Sequence, residues 1–430
     1  MTEPVNVNTA LNKSFIPVTN TQQLVYALIE IQPQDMISQT RMGLNFGFVL
    51  DHSGSMRGDK IDRLQDAVRL ALSKMAPNDL VSITIFNDSA DVIADGGPLA
   101  NQGNLADKIS RIRAGGGTQM SRGMSLGLRE VYHQYTAERV NKLLLFTDGQ
   151  TYGDESQCAK LAKEAGDHHI PIETLGLGDD WNEKLLDQIA SLSGGDSDQI
   201  ASPDEIVPLF TQSVERSQKA IIRNALLVMR LIAGVTPRQV WQVTPVIANL
   251  GYRPIGESDV QVDLGEMDAV SGKAVLVELL VPPRQAGRYR IAQTQVTYDL
   301  PIQNITGASV RSDIVINFTS DPLEAQRYDA RIMNLVERIT AYKLQTRAMN
   351  DAQAGDITGA TQKLRAAATR LLELGENDLA QAAQQEANNL EQTGQMSASG
   401  TKKLHYQTRK LTQRLTESSD QAPTSDRSNP

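Results

Sequence analysis

Phe48-Val49-Leu50-Asp51-His52-Ser53-Gly54-Ser55-Met56 is an apolar run that breaks abruptly into one carboxylate and two hydroxyls. Upstream, Leu44 to Leu50 has the apolar, aromatic and β-branched character of a buried parallel strand, and Gly54 gives the following loop freedom to turn. The oxygens therefore fall at a strand's end. Asp51, Ser53 and Ser55 are spaced by two, so an extended loop would aim all three side chains the same way, toward one hard cation. Three oxygens alone are too few for Mg²⁺.

Two later stretches offer the missing ligands, each where a strand gives way to a loop. In Gly115-Gly116-Gly117-Thr118 the glycines let backbone pack closely, and Thr118 brings a hydroxyl just before a helical pattern. Lys142-Leu143-Leu144-Leu145-Phe146-Thr147-Asp148-Gly149 is an apolar strand that ends in a carboxylate. In an open α/β sheet, ligands bind beyond the carboxyl ends of the strands near the topological switch point, which would gather these three loops. The intervening sequence alternates accordingly. Ile61, Leu64, Val68, Leu72 and Met75 stand at helical spacing, Val81 to Phe86 is a strand, and Asp91 to Ala94 reads as an antiparallel edge. Helices are expected at Asn104 to Ile112, Ser121 to Gln134, Glu155 to His168, Glu183 to Leu192 and Pro203 to Ser217, with a further strand at Pro171 to Leu177.

Asp51-x-Ser53-x-Ser55, then Thr118, then Asp148, resembles the metal-ion-dependent adhesion site of the von Willebrand factor type A (VWA) domain family, found also in integrin I domains. The resemblance covers roughly Leu44 to Ser217 and implies a doubly wound, mostly parallel, Rossmann-like sheet. It further implies that Ser53, Ser55 and Thr118 contact Mg²⁺ (or Mn²⁺ or Ca²⁺), while Asp51 and Asp148 hold it mainly through water. One coordination position is left for an Asp or Glu carboxylate of a partner protein. With mostly neutral direct ligands the ion stays electrophilic. Proteins similar to this one also imply a second role, as an assembly or chaperone-like subunit working with an AAA+ ATPase.

The 430 residues suggest two or three domains. With 40% hydrophobic and only 4% aromatic residues the core is expected to be aliphatic. A net charge of -9 disfavours a nucleic acid or an anionic membrane as the main partner. Cys158 is the single cysteine, which excludes an internal disulfide. No run approaches the roughly 18 apolar residues of a membrane span, and the N-terminus lacks the pattern of a secretory signal. A cytoplasmic protein is the expectation.

Outside the resemblance, Gln23 to Ile31 reads as a strand, and a lone strand needs a sheet. Strand-like runs at Asn224 to Ile232, Gln239 to Leu250, Asp259 to Leu264, Ala274 to Val281, Arg288 to Tyr298 and Ser312 to Phe318 supply one. The expected organisation is a multidomain α/β chain: strands within 1–42 joining a β-sandwich at 218–320, a VWA domain inserted at 43–217, a helical module at 321–417 and a disordered tail at 418–430. Leu323 to Asn350 is expected to be one long helix, followed by helices at Thr358 to Leu374, Asn377 to Gln392 and Lys402 to Thr416. The basic residues Lys402, Lys403, Arg409, Lys410 and Arg414 read as a solvated helix face.

A rival signal is Gly123-Met124-Ser125-Leu126-Gly127, the G-x-S-x-G pattern of hydrolases, with His133, His168 and His169 downstream. That pattern needs a strand immediately before it and a strained elbow. Here a glycine loop precedes it and Ser125 falls within a helical pattern, so no serine or metal-dependent hydrolase is expected.

Overall fold

The computed structural model describes residues 4–34, 41–268 and 272–413. The expected tail at 418–430 and the basic residue Arg414 lie outside them. The first 34 residues carry β1 (Val5–Leu11), β2 (Phe15–Pro17) and β3 (Gln23–Pro33). Beyond the one strand read from sequence, β1 is hidden by its polar residues: Val5 and Val7 are buried while Asn6 and Asn8 face solvent, the period of a half-buried strand.

From Gly43 strand and helix take turns: β4 (Gly43–Asp51), α1 (Asp59–Ser73), β5 (Leu80–Phe86), β6 (Ala90–Pro98), α2 (Leu105–Ser110) and α3 (Met120–His133). They continue as β7 (Arg139–Thr147), α4 (Glu155–Asp167), β8 (Ile172–Leu177), α5 (Glu183–Ser193), β9 (Ser197–Ile200) and α6 (Ile206–Lys219). The strands form one sheet in the order β6-β5-β4-β7-β8-β9, parallel except for β6. The chain winds outward from β4 in one direction and resumes at β7 in the other, so the switch point lies between these two strands. Gly47 pairs with Leu143 and Leu50 with Phe146, which brings Asp51 and Asp148 out side by side.

One face of this sheet is covered by α6, whose Phe210 stacks on Phe48 with centroids 6.2 Å apart and meets Phe146 edge-on at 5.5 Å. The other face takes α3 at unusually short range. A Cβ on Gly127 would stand 2.2 Å from Val49 Cγ2, and one on Gly123 would stand 2.6 Å from Phe86 Cδ1. The G-x-S-x-G glycines are thus contact points of a helix on a sheet, and Ser125 between them is exposed. On α4, Cys158 is buried, and burial pushes its thiol far above the ordinary range, with the charges of Asp154 and Glu155 adding to the effect. Since the thiolate is the nucleophile, labelling by a disulfide reagent at mildly alkaline pH is expected to be slower in the folded chain than in urea by at least about a hundredfold. Equal rates would show that α4 opens readily.

The second compact unit takes the N-terminal strands together with the described residues from Ile222 onward except Pro301–Asn304, which belongs with the first. Its later strands are β10 (Ala220–Leu231), β11 (Thr236–Thr244), β12 (Ala248–Asn249), β13 (Arg253–Pro254), β14 (Asp259–Asp268), β15 (Lys273–Val281), β16 (Gly287–Leu300) and β17 (Ile305–Thr319). They form two sheets, β1-β3-β15-β11-β12 and β13-β14-β10-β16-β17-β2. Strands from before and after the α/β region share both sheets, so that region is an insertion.

Among the described residues five helices follow: α7 (Pro322–Gln326), α8 (Ala330–Gln353), α9 (Ile357–Glu373), α10 (Asn377–Thr393) and α11 (Ala398–Arg409). The single helix expected over Leu323 to Asn350 is two, because the Asp329 carboxylate accepts from the Arg331 and Ile332 amides and starts α8 afresh. Ile332, Leu335, Val336 and Ile339 of α8 share a core with Leu28, Trp241, Val243 and Leu276 of the first sheet. The helical module thus packs on the first sheet, and the two share one compact unit. This explains why β15 is buried almost continuously: Leu276 faces the helices, while its buried neighbours Val275 and Val277 point to the opposite face. Arg338, buried, donates to Glu376 at 2.9 Å and to the Leu411 carbonyl at 2.7 Å, tying the last described turn to α8. Lys402 is also buried, contrary to its reading as part of a solvated face. Among the described residues no helix is long and apolar enough to cross a membrane.

Candidate metal centre

The site grows from the adjacent ends of β4 and β7. Asp51 is wholly buried, and its oxygens accept from the Ser53 amide at 2.7 Å and the Thr147 hydroxyl at 2.5 Å. Burial pushes its carboxyl above the ordinary range; the bonds from Thr147 and Ser53 oppose this, and the nearby Asp148 charge adds to it. The loop does not run on extended, as the two-residue spacing suggests. It closes into a 3-10 turn at Gly54–Met56 with Met56 buried beneath it. The turn still brings the Ser53 and Ser55 hydroxyl oxygens to 3.0 Å of each other. Ser55 then donates to Asp148 Oδ1 at 2.6 Å, and the Lys60 ammonium lies 2.5 Å from Asp148 Oδ2.

Thr118 is placed by the end of β5. The Asn87 amide donates to the Gly115 carbonyl at 2.9 Å, the Asn87 carbonyl accepts from Gln119 at 2.7 Å, and Asp88 Oδ2 accepts from the Gly117 amide at 2.9 Å. A Cβ on Gly117 would meet Asp88 Oδ1 at 2.4 Å, so a side chain there would displace the Asp88 carboxylate from this bond. Two backbone bonds join it to the Asp51 loop: Gly54 donates to the Gly116 carbonyl at 2.9 Å and Gly115 to the His52 carbonyl at 2.8 Å. His52 is half-buried and bonded through Nδ1 to the Arg113 carbonyl at 2.9 Å, so it braces the two loops instead of standing in solvent. From the β7 side, the Thr151 hydroxyl contacts the Thr118 carbonyl at 3.1 Å and the Met120 amide at 3.2 Å, and Asp154 accepts from the Ser121 amide at 2.8 Å. These two residues satisfy the first amides of α3 and set Thr118 just before them.

All five residues read from the sequence thus sit on three loops that hold one another. A Cβ on Gly149 would lie 3.5 Å from Ser55 Oγ and 3.6 Å from Thr118 Oγ1, so the bare glycine keeps clear the space between the two hydroxyls. The donors are two carboxylates and three hydroxyls, all hard oxygens, suited to Mg²⁺. Ser55 spends its proton on Asp148, so it accepts from Ser53 and keeps one lone pair for a cation. The nearness of Lys60 shows that the position attracts positive charge. These residues fit a divalent ion. Thr147, Lys60, Asn87, Asp88, Thr151 and Asp154 were missed in the sequence. Asn87-Asp88 directly after a strand and Thr147 beside Asp148 carried a signal in their positions; Lys60 carried none.

Comparison with known proteins agrees with the fold. The family described as von Willebrand factor type A domain matches residues 45–206. The protein sll0103 of Synechocystis sp. is 30% identical over 343 residues, which are 76% of this chain and 78% of that protein. The chain belongs to the Sll0103-like VWA proteins. Residues 330–414 of this VWA protein also match the family described as Sll0103-like, C-terminal alpha-helical domain, which takes in α8 through α11. Among solved structures, a von Willebrand factor type A protein from Catenulispora acidiphila superposes with a TM-score of 0.76 at 17% identity, covering 94% of this chain and 96% of that one. The ArnB paralog VWA2 from Sulfolobus acidocaldarius does so with a TM-score of 0.56 at 17% identity, covering 95% and 99%. At these identities the likeness is one of fold, and it extends over nearly the whole VWA chain.

Proposed function

We propose that this VWA protein is a Mg²⁺-dependent protein-interaction module that takes an Asp or Glu carboxylate from its partner. The observation that carries the reading is the Ser53–Ser55–Asp148 chain of contacts, 3.0 and 2.6 Å long, which joins the β4 and β7 loops into one oxygen-rich centre. When bound, the ion supplies a positive charge with a coordination position for the incoming carboxylate. The protein's own residues do the rest. Asp51, fixed by Thr147 and Ser53, supplies negative charge from below. Ser53 and Ser55 present neutral oxygens. The Asn87-Asp88 and Thr151-Asp154 braces keep Thr118 at the rim, where it is half-buried. Tyr152, next in the chain to Thr151, is 76% exposed and offers a surface on which a partner can be chosen.

The test is capture of partners from a cell extract on the immobilised full chain, in Mg²⁺ and in EDTA, with Asp51→Asn as control. A protein retained in Mg²⁺ and lost in both EDTA and the variant is the expected result. Its sequence would also decide whether an AAA+ ATPase is the partner. Retention that survives EDTA and the substitution alike would defeat the reading.

A further inference from the structure

We infer that Lys60 sets how tightly the proposed centre holds its cation, acting as a tethered positive charge that opposes the metal. The inference rests on the metal reading above. Lys60 is the second residue of α1, and its ammonium lies 2.5 Å from Asp148 Oδ2, the oxygen that Ser55 leaves free. The Asp148 side chain has no exposed surface, whereas that of Lys60 is 33% exposed. Its backbone is held in place: α1 buries Ile61, Leu64 and Val68 against the sheet, and Met56 is buried just ahead of it. Only the flexible stem is free to move.

The charges decide the direction of the effect. Asp51 is bonded to Ser53 and Thr147, and Asp148 to Ser55 and Lys60, so among the described residues Lys60 is the cation seen in contact with either carboxylate. An ammonium and a divalent ion drawn to the same buried carboxylate repel each other at a few ångströms, in surroundings where such interactions are weakly screened. Lys60 therefore weakens metal binding. In the metal-free protein it offsets one of two neighbouring negative charges. As metal enters, its exposed stem lets the ammonium move toward solvent. The result is a centre whose metal exchanges readily.

The experiment is a titration of the native full chain, Lys60→Met and Lys60→Arg with Mn²⁺, free ion being read from its paramagnetic resonance signal, together with thermal melts in EDTA. Lys60→Met keeps the stem and removes the charge, and is expected to bind Mn²⁺ at least about tenfold more tightly than the native chain. Lys60→Arg, which keeps the charge, is expected to stay within about threefold of native. A purely structural salt bridge would lower the melting temperature of Lys60→Met in EDTA and leave Mn²⁺ affinity alone, and that result overturns the inference. Equal or weaker binding by Lys60→Met does the same. If no chain binds Mn²⁺, the metal reading itself fails and the inference with it; if the native chain binds and Lys60→Met is no tighter, only the role of Lys60 is lost. Should Lys60→Met melt too low to titrate, Lys60→Gln takes its place with the same expectation.

Discussion

Mg²⁺ raises the melting temperature of the native chain and leaves that of Asp51→Asn unmoved: this is the first result we expect. A ligand that binds only the folded state stabilises it by mass action, by about 2.7 kcal/mol when present at a hundred times its dissociation constant. For a unit of this size that corresponds to a shift of roughly 5–10 °C. Asparagine keeps the shape of Asp51 and an acceptor for the Thr147 hydroxyl or the Ser53 amide, so the fold survives while the charge is lost. The metal-free variant is expected to be at least as stable as the native chain near neutral pH, because burial already holds the Asp51 carboxyl above its ordinary range. The sign follows from proton linkage. Between the ordinary and the raised value the folded state holds more protons than the unfolded one, so metal-free stability falls as pH rises through that window. Mg²⁺ requires the ionised carboxylate, so its stabilisation weakens as pH falls into the same window. Asp51→Asn removes both slopes. A variant that still responds to Mg²⁺ would place the metal elsewhere.

Gly127→Val is expected to be the most damaging single substitution in the α/β region. The ideal Cβ at this position stands 2.2 Å from Val49 Cγ2 and 3.2 Å from Leu143 Cδ1, before the two further methyls of valine are counted. Both neighbours belong to the central strands, and Val49 lies two residues before Asp51. The backbone of α3 cannot keep its distance from the sheet, and overpacking of this kind costs on the order of 3 kcal/mol or more. Displacing α3 also moves Thr118, which sits at its start, so the Mg²⁺ response should weaken along with stability. Ser125→Ala, on the exposed side of the same helix, should stay within about 0.5 kcal/mol of native. Urea unfolding of the two variants checks both figures. A Gly127→Val chain as stable as the native one would mean that α3 does not lie on β4 and β7 as described.

Much of the α/β region was legible from residue order alone. Apolar runs that end in Asp51 and Asp148 mark strand ends, helical spacing between them marks crossovers, and a sheet wound this way brings such ends together at its switch point. The five oxygen-bearing residues follow from that logic and from the VWA resemblance. Local order also showed most of the sandwich strands after Asn224, but it ran Gln239 to Leu250 together where β11 and β12 are two strands paired antiparallel. It failed at β1, where Asn6, Asn8 and Thr9 dilute the apolar period, and at the break before α8, where a capping aspartate outweighs a continuous helical stripe.

Long-range contacts decided the remainder. Lys60 reaches Asp148 across 88 residues, Thr147 reaches Asp51 across 96, and Asp88 reaches Gly117 across 29, and no periodicity encodes such meetings. The same holds for the packing of the helical module on the sandwich. A strand buried on one face and a strand buried on both differ in what packs against the second face, and for β15 that is the apolar stripe of α8, which lies more than fifty residues later in the chain. Sequence determined which residues could carry the chemistry, because strand ends and residue types are local properties. Only the tertiary structure decided which charges face one another there, because that depends on side chains brought together by packing.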